Sequence, residues 1–127
     1  MVPLRIEPTK FTPKILFDPG NNVFLISGFS LPEDVSGFYT PVLEWLNKFA
    51  QNIETSKAAI HFTFRLIYYN SGSFKVMINI LHKIAQLKKK GSEVVVDWYF
   101  DEDDTHLKDI GEELSDLVEL PFNYITN

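Results

Sequence analysis

The chain has 127 residues, 45% of them apolar, with 18 aromatics (11 Phe, 5 Tyr, 2 Trp), 23% charged residues and no cysteine. That length suits one domain spanning 1–127, which buries roughly two-thirds of its unfolded surface, and the composition is far from that of disordered chains. The missing cysteines exclude disulfides, thiolate nucleophiles and thiolate metal sites. Net charge is -5, unevenly spread: residues 1–96 hold 11 Lys/Arg against 7 Asp/Glu, whereas residues 97–127 hold 1 against 10, a local -9. Such a surface repels nucleic acid and anionic membranes and suits a basic protein partner or a metal ion. No stretch has the apolar length of a signal peptide or a membrane span, so a cytoplasmic location is expected.

A short strand is expected around Leu4 to Ile6. Asp18-Pro19-Gly20-Asn21-Asn22 is a turn cluster between the apolar runs Ile15 to Phe17 and Val23 to Ser27, which reads as a β-hairpin. From Val35 to Ala50 the period changes: nine apolar residues, Val35 to Ala50, fall within an arc of about 160° on a helical wheel. Pro41 interrupts this helix and is most easily accepted near its first turn. Ala58 to Tyr69 alternates as a strand, with Ile60, Phe62, Phe64, Leu66 and Tyr68 expected on the core face and His61, Thr63 and Arg65 on the other.

A second helix is expected from Ser71 or Ser73 to about Lys90, with Phe74, Met77, Ile78, Leu81, Ile84 and Ala85 as its inward stripe. Lys88-Lys89-Lys90-Gly91 suits its carboxyl end, with cations on the negative pole and glycine at the stop. Val76, Ile80 and Leu87 form a second apolar row, flanked by Lys75 and Lys83, which either packs on a neighbouring helix or meets a partner. A strand over Glu93 to Phe100, a helix over Thr105 to Val118 and a short extended end over Pro121 to Ile125 complete the chain.

The fold class is therefore α/β, a mixed sheet with an N-terminal β-hairpin and three helices. Strands separated by helices run parallel through right-handed crossovers, so the loops at their carboxyl ends gather on one edge. These loops are Gly28 to Pro32, Asn70 to Ser73 and Asp101 to Asp104. In open α/β sheets that edge carries function.

Two features there could carry chemistry. Ser71 or Ser73 can cap the following helix, or Ser71, beside Gly72, can be accessible to a kinase. A phosphate there would bring about -1.5 to -2 charge and three acceptor oxygens to the helix start. Asp101, Glu102, Asp103 and Asp104, with His106 nearby, either favour the next helix through its dipole, bind a divalent cation or dock a basic partner. His61, His82 and His106 stand on separate elements without metal-ligand spacing, and there is no nucleophile elbow or phosphate-cradling glycine loop.

Four ordered segments carry a resemblance. Phe38-Tyr39-Thr40-Pro41-Val42-Leu43-Glu44-Trp45-Leu46, Tyr69-Asn70-Ser71-Gly72-Ser73, Trp98-Tyr99-Phe100-Asp101-Glu102-Asp103-Asp104 and Leu120-Pro121-Phe122-Asn123-Tyr124-Ile125 together resemble the SiaC family. These are bacterial biofilm-regulation phosphoproteins whose fold is similar to the STAS domains of anti-sigma-factor antagonists. The resemblance implies a protein without catalytic activity, needing no cofactor or metal. A serine/threonine kinase phosphorylates it, a PP2C-type phosphatase restores it, and the unphosphorylated form binds and activates a diguanylate cyclase, raising cyclic di-GMP. It places the phosphoacceptor on Ser71, directly after the asparagine, with Ser73 as the alternative. The expected partner surface comprises Asn70, Gly72, Ser73, Lys75, Val76, Ile80, Asp101, Asp103 and Asp104. Two other readings stand beside it: an anti-sigma-factor antagonist, which the likeness to STAS domains implies, and a metal-dependent enzyme using Asp101, Asp103, Asp104 and His106.

Overall fold

The computed structural model describes residues 1–53 and 59–127. Its elements are β1 (Leu4–Ile6), β2 (Lys14–Asp18), β3 (Val23–Ser30), α1 (Val35–Asn52), β4 (Ile60–Tyr69), α2 (Ser71–Lys89), β5 (Val94–Phe100), α3 (Thr105–Val118) and β6 (Phe122–Thr126). A single 3-10 turn, Pro19–Asn21, joins β2 to β3. The strands form one six-stranded sheet in the order β1-β2-β3-β4-β5-β6, with β1, β2 and β3 antiparallel and β3 to β6 parallel. The extended end expected at Pro121 to Ile125 is thus an edge strand, Phe122–Thr126, paired in register with Val96 to Phe100. The predicted strand start at Ala58 lies outside the described residues.

Three successive crossovers step in the same direction across the sheet. Because each is right-handed, all three helices lie on one face. Alternation then decides burial: Phe62, Phe64 and Leu66 of β4 and Val94, Val96, Trp98 and Phe100 of β5 face the helices and are buried. His61, Thr63 and Arg65, with Val95, Asp97 and Tyr99, face the open side. Phe17, Phe24, Trp45, Phe49 and Phe62 form a continuous aromatic cluster with centroid separations of 4.7 to 6.3 Å.

Two expectations are corrected here. Pro41 lies seven residues into α1, in its second turn rather than its first. The carbonyl it leaves without a helical donor is that of Gly37, and both residues are exposed, so water can replace the lost bond. Tyr68, expected in the core, is 62% exposed. The register explains it: Gly28 pairs with Leu66 but Phe29 pairs with Tyr68, so Ile67 is an extra residue in β4. This bulge turns both Ile67 and Tyr68 outward and rotates Tyr69 toward the helices, where it stacks on Phe74 of α2 at 6.4 Å.

Candidate functional site around the start of the second helix

The ends of β3, β4 and β5 open into three turns on the carboxyl edge of the sheet, and each turn starts a helix on an Asp or Asn cap. Asp34 accepts from Gly37 N, Asn70 from Ser73 N at 2.8 Å and Asp104 from Leu107 N at 3.0 Å. An Asx side chain fits this position because its oxygen replaces the carbonyl that the first amides of a helix lack. Neither Ser71 nor Ser73 is therefore the cap of α2. Asn70 takes that role, and Ser71 becomes the first helical residue, with its side chain exposed.

The residues flanking Ser71 are locked in place. Asn70 N donates to Ser30 O at 3.0 Å, and Asn70 Nδ2 donates to Pro32 O at 3.2 Å. Ser73 is fully buried: its Oγ donates to Ser30 O at 2.9 Å and accepts from Ser30 Oγ at 2.8 Å. With the Ser30 proton committed to Ser73, the 2.6 Å bond between Ser30 and Tyr39 has the phenol as donor. Tyr39, buried in α1, has its pKa pushed up to about 12, chiefly by desolvation and only partly offset by Ser30. Ser73, the alternative phosphoacceptor, thus belongs to the core in the folded chain. Gly72 lies where a Cβ would come within 2.8 Å of Val35 Cγ2, so glycine here lets α1 close against the turn.

Beside Ser71 runs a groove of about 470 Å³, over the end of β4 and between α2 and α3. Ile67, Tyr68, Tyr69, Phe74, Leu107 and Ile110 supply its apolar lining, Ser71 stands on the α2 side, and Asp104, His106 and Glu113 stand on the α3 side. Tyr69 reports that field: its pKa is raised by partial burial first, then by the negative charges of Asp104 and Glu113.

The predicted partner residues do not all meet here. Asn70 and Gly72 flank Ser71 in the turn, and Asp104 and Ser71 share the groove. Lys75 is exposed on α2. Ile80 is fully buried, as is Leu87 at 1%, and Val76 is half-buried. That side of α2 meets α1, where Lys83 Nζ donates to Asn47 Oδ1 at 2.7 Å and Lys90 Nζ to Ala50 O at 3.2 Å. The second apolar row is a helix–helix seam, and Ile80 is removed from the accessible surface. Asp101 and Asp103 are exposed, and Asp101 Oδ1 accepts from Asn127 Nδ2 at 2.9 Å. Among the described residues no three His, Asp or Glu side chains converge as a metal-binding group.

Sequence pattern alone does not mark the groove residues Ile67, Tyr68, Tyr69, Phe74, Leu107 and Ile110 as a site. The one legible signal was the run Ile67-Tyr68-Tyr69, three large side chains where alternation would place a polar residue.

The geometry defines a class: a mixed-sheet α/β protein that presents an exposed serine, Ser71, beside an open apolar groove on the carboxyl edge of its parallel strands. The model of SiaC family regulatory phosphoproteins matches residues 6–127, and the chain belongs to that family. It is similar to apo-SiaC from Pseudomonas aeruginosa, with a TM-score of 0.87 and 26% identity over 98% of this chain and 99% of that one. It is equally similar, at TM-score 0.87 and 25% identity over 98% and 99% of the two chains, to a chain in the crystal structure of diguanylate cyclase SiaD in complex with its activator SiaC from the same organism. An uncharacterized protein of Pseudomonas aeruginosa strain UCBPP-PA14 is 26% identical over 122 residues, covering 96% of this chain and 94% of the relative.

Proposed function

We propose that this chain is a non-enzymatic switch: unphosphorylated it binds and activates a diguanylate cyclase, and phosphorylation of Ser71 releases that partner. A serine/threonine kinase adds the phosphate and a PP2C-type phosphatase removes it, in the cytoplasm. The observation that carries the reading is local. Ser71 is exposed at the start of α2 and lines an apolar groove, while Asn70 and Ser73 on either side are held by internal hydrogen bonds. The SiaC relative, solved in complex with the cyclase it activates, supports the choice of partner. Asn70, Gly72, Lys75, Asp101, Asp103 and Asp104 surround the turn and the acidic loop as contact residues.

The fold tolerates the modification. A phosphate of about -1.5 to -2 charge at a helix start gains about 0.3 to 1 kcal/mol from the helix dipole. That is small against the stability of a domain, so the effect falls on whatever is docked over the turn. Among the described residues no helix is long and apolar enough to cross a membrane.

Incubation with a serine/threonine kinase of the native bacterium, followed by mass spectrometry, is expected to place phosphate on Ser71 and to lose it in Ser71→Ala. Undiminished label on Ser71→Ala would sink the site. A pull-down from the native bacterium is expected to return a diguanylate cyclase from wild type and less of it from Ser71→Asp. Recovery of an anti-sigma factor instead would replace this pathway with the antagonist reading.

A further inference from the structure

We infer that the free edge of β6 takes up an extended segment of a partner as a seventh strand, with Lys or Arg on the side facing α3. This surface shares no residue with the lining of the groove beside Ser71. The two edges of the sheet are guarded differently. β1 is three residues long, lies between Pro3 and Pro8 and carries Arg5 at its centre, the ordinary protections of an edge. β6, Phe122–Thr126, has five residues with no charge, no proline and no bulge against β5. An edge of that kind is a template for another strand.

Pairing with β5 fixes which backbone groups are free. Asn127 N donates to Phe100 O at 2.9 Å, and successive residues of a strand turn their amides to opposite sides, so Asn123, Ile125 and Asn127 serve β5. Phe122, Tyr124 and Thr126 therefore direct their N–H and C=O groups outward. Charge then selects the occupant. Phe122, stacked on Trp98, and Tyr124, its centroid 6.2 Å from that of Phe122, lie on the helix face of β6. The Tyr124 phenol pKa is raised, by partial burial first; a hydrogen bond to Ser115 opposes the rise, and the negative charges of Glu112 and Asp116 add to it. Those carboxylates thus stand on the β6 side of α3. Lys108 meets Glu112 at 3.7 Å, and among the described residues no cation pairs with Asp116. A second copy pairing antiparallel through its own β6 would set two such carboxylate rows side by side, like charge against like. A strand with Lys or Arg on its helix side meets them with opposite charge.

The test titrates the full chain, labelled with ¹⁵N, with two extended peptides, one alternating valine with lysine and one alternating valine with glutamate. The lysine peptide is expected to slow hydrogen exchange at the amides of Phe122, Tyr124 and Thr126, while Asn123 and Ile125, already bonded to β5, change little. Thr126→Pro removes an outward amide and no bond to β5, and is expected to weaken binding about tenfold. Asp116→Lys is expected to weaken it about fivefold at low salt and less at high salt. A cation near the carboxyl end of α3 favours the helix, so that loss is separate from unfolding. Equal binding of the two peptides, protection confined to another surface, or unchanged affinity in both variants would each overturn the inference. So would protection of the same amides that rises with protein concentration in the absence of peptide, which would give the edge to a second copy.

Discussion

Two turns face each other across the groove, and they spend their polar groups in opposite ways. The turn before α2 directs almost all of them inward: Asn70 to Ser30 and Pro32, Ser73 to Ser30, and Ser30 to Tyr39 of α1. The turn before α3 keeps Asp104 as a cap and Asp101 on Asn127, and leaves Glu102 and Asp103 in water. The first is a rigid mount for a single hydroxyl, and the second is a source of negative charge. A hydroxyl held in fixed geometry suits a modifying enzyme, whereas a solvated charge acts at a distance and needs little order.

If the α2 turn is the rigid one, its stability should respond to pH through Tyr39. The phenol ionises near 10 in the unfolded chain and near 12 when folded, so its contribution is intact below pH 10 and is lost as pH rises through 12. The full loss is on the order of 3 kcal/mol. Urea unfolding between pH 9 and 12 should show this component in wild type and not in Tyr39→Phe. Identical pH slopes would break the comparison.

Ser73→Ala comes next. It removes the donor to Ser30 O and the acceptor of Ser30 Oγ in the core, an expected cost of about 1 to 3 kcal/mol by chemical denaturation. A neutral result would mean that the buried hydroxyls do not hold the turn. The two caps sharpen the contrast further. Asp104→Ala should cost about 1 kcal/mol, the ordinary worth of a cap, while Asn70→Ala should exceed it because the bond to Pro32 O is also lost. Equal costs would make the two turns equivalent. The smallest effect belongs to Ser71→Ala, expected within about 0.5 kcal/mol of wild type in the same assay while abolishing phosphate incorporation.

Much of the α2 turn was legible in the sequence, and less of the groove. The Asn70-Ser71-Gly72-Ser73 run at a strand-to-helix boundary marks a cap and a hydroxyl. Which residue caps depends on where the first helical dihedrals fall, and that is settled by packing of α2 against α1 through Gly72 and Val35. The Val76, Ile80 and Leu87 row could be read as core or surface because a helical wheel shows an apolar face but not which neighbour covers it. The exposure of Ile67 and Tyr68 follows from one inserted residue, and the break in alternation at Ile67-Tyr68-Tyr69 does not say which of the three turns outward.

By itself, the sequence determined the elements, their order and the edge where the loops gather. Periodicity records which side chains must leave water, and right-handed crossovers leave few ways to join them. The tertiary structure alone decided which serine faces solvent. Ser71 and Ser73 are two residues apart on a helix of 3.6 residues per turn, so one points to water and the other to Ser30 and Tyr39. It also decided that the acidic turn and the free hydroxyl share a groove, because α2 and α3 come together only once β4 and β5 have paired.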